Sequence, residues 1–348
     1  MNKSDRNSIL DVTKGLGILL VVLSHALSKS GMDTTPFRNG LFNIITSFFM
    51  LMFFMISGYL TYGKVSQQGW LKEHMSKWIL PLLSFTIIYW VFGNLLPDWV
   101  QFYSGFYEMS FWDYISIVLT SGFNGIVTWY LWTLIICYGF AWVLEQGRMK
   151  LKIPFIIQVI ALVVVINIMP VLLFGFFVFK WYGVFFLIGY TLHHFSIDKR
   201  LAYISLVAFP LMVYLTNWMI PYQDSQWGCY GLAKIIPAIM NGRASLVGLM
   251  FLMAILGSAF VYSIAMLIRW RPLVRLLTYL GSISIGIYLI HVMFVGITNN
   301  YWLSTVLATI ISVVLYELLK RIKFANYILF GGDIPIKLKT LGGWYGKI

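Results

Sequence analysis

Three ionisable side chains interrupt the first apolar segment of the sequence. Asp11, Lys14 and His25 are separated by 3 and 11 residues, and at about 100° per residue these offsets place them within roughly 60° on one helix face. The rise of about 1.5 Å per residue puts His25 ~16 Å beyond Lys14. A long anionic ligand could therefore contact both the ammonium and the imidazole. In the simpler alternative, Asp11 and Lys14 form an i,i+3 ion pair and His25 hydrogen-bonds a neighbouring helix.

The amino-acid composition indicates what kind of protein holds these three residues. Of the 348 residues, 60% are apolar and 11% are charged, against about 45–50% and about 25% in soluble domains. This excludes a water-soluble fold. The net charge of +13 is explained by basic cytoplasmic loops, so nucleic acid is not expected as a partner. Cys137 and Cys229 are far apart in sequence, which supports neither a disulfide framework nor a cysteine-based metal site.

The hydropathy pattern predicts an all-α, polytopic integral membrane bundle of about ten helices. A basic N-terminus precedes the first apolar run, but no small-residue cleavage site follows it, so we predict a retained first helix. The predicted spans are 9–28, 41–62, 78–96, 127–144, 154–170, 181–196, 201–219, 245–267, 277–298 and 303–319. With ten spans and both termini in the cytoplasm, most Lys and Arg residues lie on the cytoplasmic side of the membrane.

Residues outside these spans have predicted locations as well. The stretches 110–125 and 229–243 are expected to lie along the outer interface or to dip back into the protein. Residues 1–323 are predicted to form the transmembrane domain and 324–348 a short basic cytoplasmic tail.

Several segments, in order along the chain, resemble motifs of the membrane acyltransferase 3 family. In the first of them, a basic residue precedes a helix-borne histidine by eleven positions, as Lys14 precedes His25. The matching segments are Ile9 to His25, Phe53 to Leu60, Lys72 to Pro81, Trp129 to Trp132 and Gly281 to His291. Together they extend over most of the chain.

The resemblance implies an integral membrane O-acyltransferase of a bacterial plasma (inner) membrane. Family members commonly transfer acetyl from cytoplasmic acetyl-CoA to hydroxyls of cell-envelope glycans or lipid-linked sugars. The resemblance assigns catalysis to His25, as general base or acyl carrier. Asp11 and Lys14 would orient groups nearer the cytoplasm, and Lys14, Lys72 and Lys77 are the candidates for the CoA phosphates. No metal is expected; membrane lipids are further partners, and a homo-oligomer is left open.

Four further residues have both a functional and a purely structural interpretation. His291 lies at a predicted depth similar to that of His25, as a second catalytic contact or as a helix-packing donor. Trp129 and Tyr130 could stack on a sugar ring or belong to the aromatic belt at the membrane interface. Ser57, next to a glycine, could contact substrate, but such a pair more often marks a close helix approach.

Two other functions use the same residues differently. A transporter or flippase for a glycan or organic anion would line its pathway with these buried polar groups, although the chain has no evident repeated halves. A non-enzymatic envelope scaffold would leave the shared face of Asp11, Lys14 and His25 unexplained.

Overall fold

The computed structural model describes residues 3–29, 40–67, 69–95, 109–121, 127–152, 154, 156–157, 160, 176–193, 199–216 and 244–333. These residues are mostly helical, and none of them lies in a β-strand. In chain order the helices are α1 Lys3–Lys29, α2 Gly40–Thr46, α3 Phe49–Thr61, α4 Trp70–Leu95, α5 Phe111–Ser121, α6 Trp129–Leu151, α7 Phe176–Leu192, α8 Lys199–Leu215, α9 Ala244–Leu267, α10 Arg271–Ser282, α11 Ser284–Ile290, α12 Tyr301–Arg321 and α13 Lys323–Phe330.

Several helices are long and apolar enough to cross a membrane. By length and composition, the described residues contain 5 such spans, or 6 when one bent helix pair is counted as a span. The 5 spans are Ser8–Lys29, Gly40–Thr61, Trp70–Asn94, Gly248–Leu267 and Tyr301–Arg321. The prediction of an all-α, multi-pass membrane protein is thereby confirmed. The count of ten and the cytoplasmic termini stay predictions, and the predicted span 154–170 and stretch 229–243 fall almost entirely outside the described residues.

Close backbone contacts at glycines hold the centre of the bundle together. A Cβ on Gly58 of α3 would collide with the carbonyl oxygen of Phe186 in α7, and a Cβ on Gly189 would collide with that of Met55. Gly15 of α1 and Gly281 of α10 form a similar contact between their helices. Because lipid tails are as apolar as leucine, helices in a bilayer associate through close packing of this kind.

The predicted span 277–298 is not one helix. It is divided between α10 and α11, whose axes are bent by 64°. Helix α10 is amphipathic: Arg271 and Arg275 are exposed on one side, and Leu277 and Gly281 are buried on the other. Helix α11 then turns into the interior and ends in a short 3₁₀ turn, His291–Met293. A single continuous helix is therefore wrong here, while one broken span remains compatible with the pair. Mean hydropathy does not detect a change of direction between two apolar segments.

Two of the three predicted non-spanning regions, 110–125 and the tail, pack against α4 where they are described. Helix α5, within the predicted interfacial stretch, donates the Tyr114 hydroxyl to the Thr86 carbonyl at 3.0 Å. Helix α13 lies at the start of the predicted tail, and the Ser84 hydroxyl donates to its Ile328 carbonyl at 3.2 Å. The domain boundary at 323 stays a prediction, and residues 334–348 lie outside the described part of the chain.

Candidate active site

The two histidines predicted to lie at similar depth are in contact. His25, near the end of α1, and His291, directly after α11, have ring centroids 5.1 Å apart with planes inclined by 49°. They come from helices separated by more than 250 residues of sequence, and the inward turn of α11 brings them together. His291 is 0% exposed, whereas His25 is partly exposed.

The hydrogen bonding of His291 determines which of its nitrogens is available. Its Nδ1 lies 2.9 Å from the Ile287 carbonyl oxygen. A carbonyl oxygen only accepts, so Nδ1 carries the hydrogen, and in the neutral ring Nε2 carries the lone pair. Nε2 is buried without a hydrogen-bond partner among the described residues. Buried polar atoms are rarely left unsatisfied, so this nitrogen is a candidate contact for a substrate group or for a proton.

Aromatic and hydroxyl side chains continue from the histidine pair to helix α3. The Tyr288 ring lies 6.1 Å from His291 and 5.4 Å from Tyr130, between centroids. The Tyr130 hydroxyl is 3.5 Å from the Ser57 hydroxyl, and the Tyr288 hydroxyl donates to the Val127 carbonyl. The structure therefore places predicted residues Ser57, Tyr130 and His291 in one connected region.

A cavity of about 250 Å³ opens beside these hydroxyls, and we call it the polar cavity. Its walls include Lys14, Ser57, Lys64, His74, Tyr130 and Tyr288. It lies between α1, α3, the start of α4, α6 and the α10–α11 break. Neither histidine of the pair belongs to its wall, but His291 follows Tyr288 by one helical turn. The pair therefore lies next to Tyr288, a residue of the cavity wall.

The predicted ion pair on α1 is present at the wall of this cavity. Lys14 Nζ lies 2.6 Å from Asp11 Oδ1, and the two side chains are 20% and 33% exposed. Asp11 also contributes its backbone to the contact between α1 and α10, because its carbonyl oxygen lies against Gly281. The simpler interpretation of these residues as an i,i+3 pair describes their geometry, while Lys14 still faces the cavity.

The other two predicted phosphate ligands are not at this cavity. Lys72 and Lys77 are exposed on α4 and do not line it. The cavity wall instead contains Lys64, which follows α3, and His74 of α4. The His74 ring stacks on Trp70, with 4.2 Å between the ring centroids. Lys64 is one of several lysines that the ten-span prediction places on the cytoplasmic side. Nothing in the local sequence distinguishes it from Lys72.

Trp129 does not share the cavity wall with Tyr130, its neighbour in sequence, although their ring centroids lie 6.3 Å apart. Its ring packs 4.8 Å from Tyr182 and 6.3 Å from Phe54, between centroids, and it does not line the polar cavity. Adjacent residues on a helix point about 100° apart, so one of the two aromatic residues reaches the cavity and the other packs between helices.

Comparison with known proteins identifies the family. A family model described as an acyltransferase domain, that of the membrane acyltransferase 3 family, matches residues 7–318. The match covers most of the chain and includes both histidines and the whole polar cavity. The chain belongs to this family and is a membrane acyltransferase. No curated protein and no solved structure matches it significantly.

Proposed function

We propose that this protein is an O-acyltransferase of a bacterial plasma membrane that takes acetyl from cytoplasmic acetyl-CoA. The acceptor would be a hydroxyl of a cell-envelope polysaccharide or of a lipid-linked sugar. The observation that carries the proposal is the contact of His25 with His291, next to Tyr288 in the wall of a cavity that Lys64 also lines. A proton acceptor and a cation for an anionic donor are thereby available in one region of the bundle.

The donor would enter at the mouth formed by Lys64, Trp70 and His74. Lys14 and Lys64 line the cavity. Because the Lys14 ammonium is paired with Asp11, the charge that favours an anion such as a phosphate group comes mainly from Lys64. Lysine binds phosphate as a point charge. The thioester would then lie deeper, beside Tyr130 and Tyr288.

In the proposed reaction, the acceptor hydroxyl oxygen attacks the thioester carbonyl carbon as His25 takes the hydroxyl proton. An ester C–O bond forms and the C–S bond breaks. The thiolate leaves and takes up the proton, which regenerates the neutral imidazole and releases CoA as a thiol. In the alternative sequence, His25 carries the acyl group transiently before the hydroxyl attacks. Both routes use the same contact with His291.

His291 would act beside His25 through its Nε2 atom. Because Nδ1 is held by the Ile287 carbonyl, the ring presents the nitrogen that has a lone pair to its buried surroundings. This lone pair can orient His25 or hold a proton during transfer. Asp11 would keep Lys14 in place at the cavity wall.

The test compares membrane vesicles that contain wild-type protein or His25→Ala, each incubated with acetyl-labelled acetyl-CoA. Label is measured in the glycan and lipid fractions, since native membranes can supply the acceptor. We expect label with the wild type and a loss of at least about 100-fold with His25→Ala, as for removal of a general base. His193→Ala, which removes an imidazole held against the Tyr59 carbonyl, is the matched control and should retain transfer.

Two outcomes would contradict the proposal. Wild-type turnover by folded His25→Ala protein would remove the catalytic assignment of this residue. Absence of label with every variant, with intact donor and added glycan and lipid-linked sugar acceptors, would favour the transport alternative. In that case, uptake of a labelled glycan or organic anion into the vesicles is the measurement that follows.

A further inference from the structure

A second cavity, which we call the apolar cavity, lies on the other side of α3. It has a volume of about 380 Å³ and is bounded by α1, α3, α7, α8 and α9. Its walls include Met52, Met55, Tyr59, Leu192, Ile255 and Ala259. Pockets of this size hold small ligands, and an apolar cavity binds apolar groups rather than water.

The serine and threonine hydroxyls at the apolar cavity are already hydrogen-bonded. Thr13 donates its hydroxyl to the Ile9 carbonyl at 2.8 Å, and Ser258 donates to the Ala254 carbonyl at 2.6 Å. Both bonds are made within the residue's own helix, so these hydroxyls have no need of a ligand. Ser205, which also lines the cavity, donates its hydroxyl to the Ala202 carbonyl in the same way. The remaining wall is mostly apolar and therefore suits a hydrocarbon chain.

Ile56 lies at the boundary between the two cavities, and it lines both. At about 100° per residue, Phe53 and Ser57 face the polar cavity and Met52 and Met55 face the apolar one. Ile56 falls between these two faces of α3 and is 7% exposed. Because a β-branched side chain in a helix has essentially one rotamer, it forms a fixed part of the partition.

Helices α1 and α3 are in close contact one turn before Ile56. A Cβ on Gly17 of α1 would meet the Met52 and Phe53 side chains at 2.5 and 3.0 Å. Helix α1 therefore packs directly on two residues of α3 that line different cavities, Met52 and Phe53. At Ile56, in contrast, a single side chain contributes to both walls.

We propose that Ile56 sets the length of the acyl group that this enzyme transfers, and that the apolar cavity takes the chain of a longer acyl donor once Ile56 is shortened. The inference rests on the proposed function. In this proposal a short acyl group lies beside Ser57 within the polar cavity, and a longer one extends past Ile56, the residue that lines both cavities. The transfer itself is unchanged: the ester C–O bond forms, the thioester C–S bond breaks, and the hydroxyl proton ends on the thiol.

The test measures transfer from acetyl-CoA and from octanoyl-CoA in the same vesicles, as the ratio of octanoyl to acetyl product. In Ile56→Ala the surroundings relax only partly around the removed atoms, so the two cavities join. We expect the ratio to rise at least about 10-fold, the smallest effect typical of one methylene in an apolar pocket. Ile56→Val, which retains more of the wall, should give a smaller rise.

Two further variants separate the partition from a general loosening of the bundle. Ile135→Ala makes the same truncation at a buried site that lines neither cavity, and its ratio should equal that of the wild type. Ala259→Phe, added to Ile56→Ala, fills the apolar cavity and should reverse the rise. Each variant is first shown to be folded by size-exclusion chromatography of the solubilised protein.

The outcomes distinguish this inference from the proposed function. If the wild type transfers acetyl and the ratio in Ile56→Ala and in Ile56→Val equals that of the wild type, the length limit is not at Ile56, and the inference fails while the function stands. An equal rise in Ile135→Ala would also overturn it. If no protein transfers either group to added acceptor, the proposed function fails, and the inference fails with it.

Discussion

The histidine pair and the basic mouth of the polar cavity are built in different ways. The pair joins two helices at the centre of the bundle, and His291 is completely buried. The mouth is formed by the turn after α3 and the first turns of α4, and Lys64 there is exposed. Buried groups have fixed positions, while exposed lysines are mobile and screened by salt. Substitutions at the pair should therefore change the rate of transfer, and substitutions at the mouth should change donor affinity.

We expect the largest effect from a substitution at the contact between α1 and α10, the helices that carry or precede the two histidines. In Gly281→Ala the new Cβ collides with the Asp11 carbonyl, and because backbone cannot move aside as a side chain can, α10 must shift away from α1. We expect a loss of about 1–3 kcal/mol in stability, as for overpacking, and a loss of transfer in the remaining folded protein. Thermal unfolding of the solubilised protein measures the first effect.

A second Gly→Ala substitution shows whether the loss of stability in Gly281→Ala is due to its position or to the residue type. Gly139 lies within α6, and a Cβ there would meet nothing within 4 Å. Gly139→Ala should leave stability unchanged or raise it by about 0.5–1 kcal/mol, because alanine is the better helix former. Equal destabilisation by the two substitutions would show that the α1–α10 contact has no special role.

Removal of the second imidazole tests the pair itself. We expect His291→Ala to lower kcat by about 100-fold, within the range for proton-transfer groups, with the KM for acetyl-CoA nearly unchanged, because His291 does not line the polar cavity. Steady-state kinetics in vesicles separate the two constants. A rise in KM at constant kcat would instead place His291 in donor binding and would remove the contrast with the mouth.

The smallest effect is expected at the mouth, where two exposed lysines can be compared. Lys64→Ala should raise the KM for acetyl-CoA by about 5- to 10-fold at low salt, because one charge-assisted contact to phosphate is lost, with kcat unchanged. Lys72→Ala, outside the cavity wall, should change neither constant. Donor titrations at low and high salt measure both variants, and identical behaviour of the two lysines would argue against this mouth.

The first helix was the most predictable part of the molecule. A continuous apolar run with Asp11, Lys14 and His25 on one face predicts a single helix, and α1 extends from Lys3 to Lys29 with the Asp11–Lys14 ion pair formed. Spacing within one helix depends only on local geometry. The family was also accessible from the sequence, because its motifs are short, ordered segments that need no knowledge of how the helices meet.

Contacts between helices were less predictable. The sequence alone determined a helical membrane protein of the acyltransferase 3 family, with His25 and Lys14 on a common face. Only the tertiary structure decided that α11 turns inward to place His291 against His25, that Lys64 rather than Lys72 reaches the cavity, and that Ile56 separates two cavities. Hydropathy and periodicity report on each helix by itself, whereas these arrangements depend on close approach between distant glycines such as Gly15 and Gly281 and the backbone opposite them.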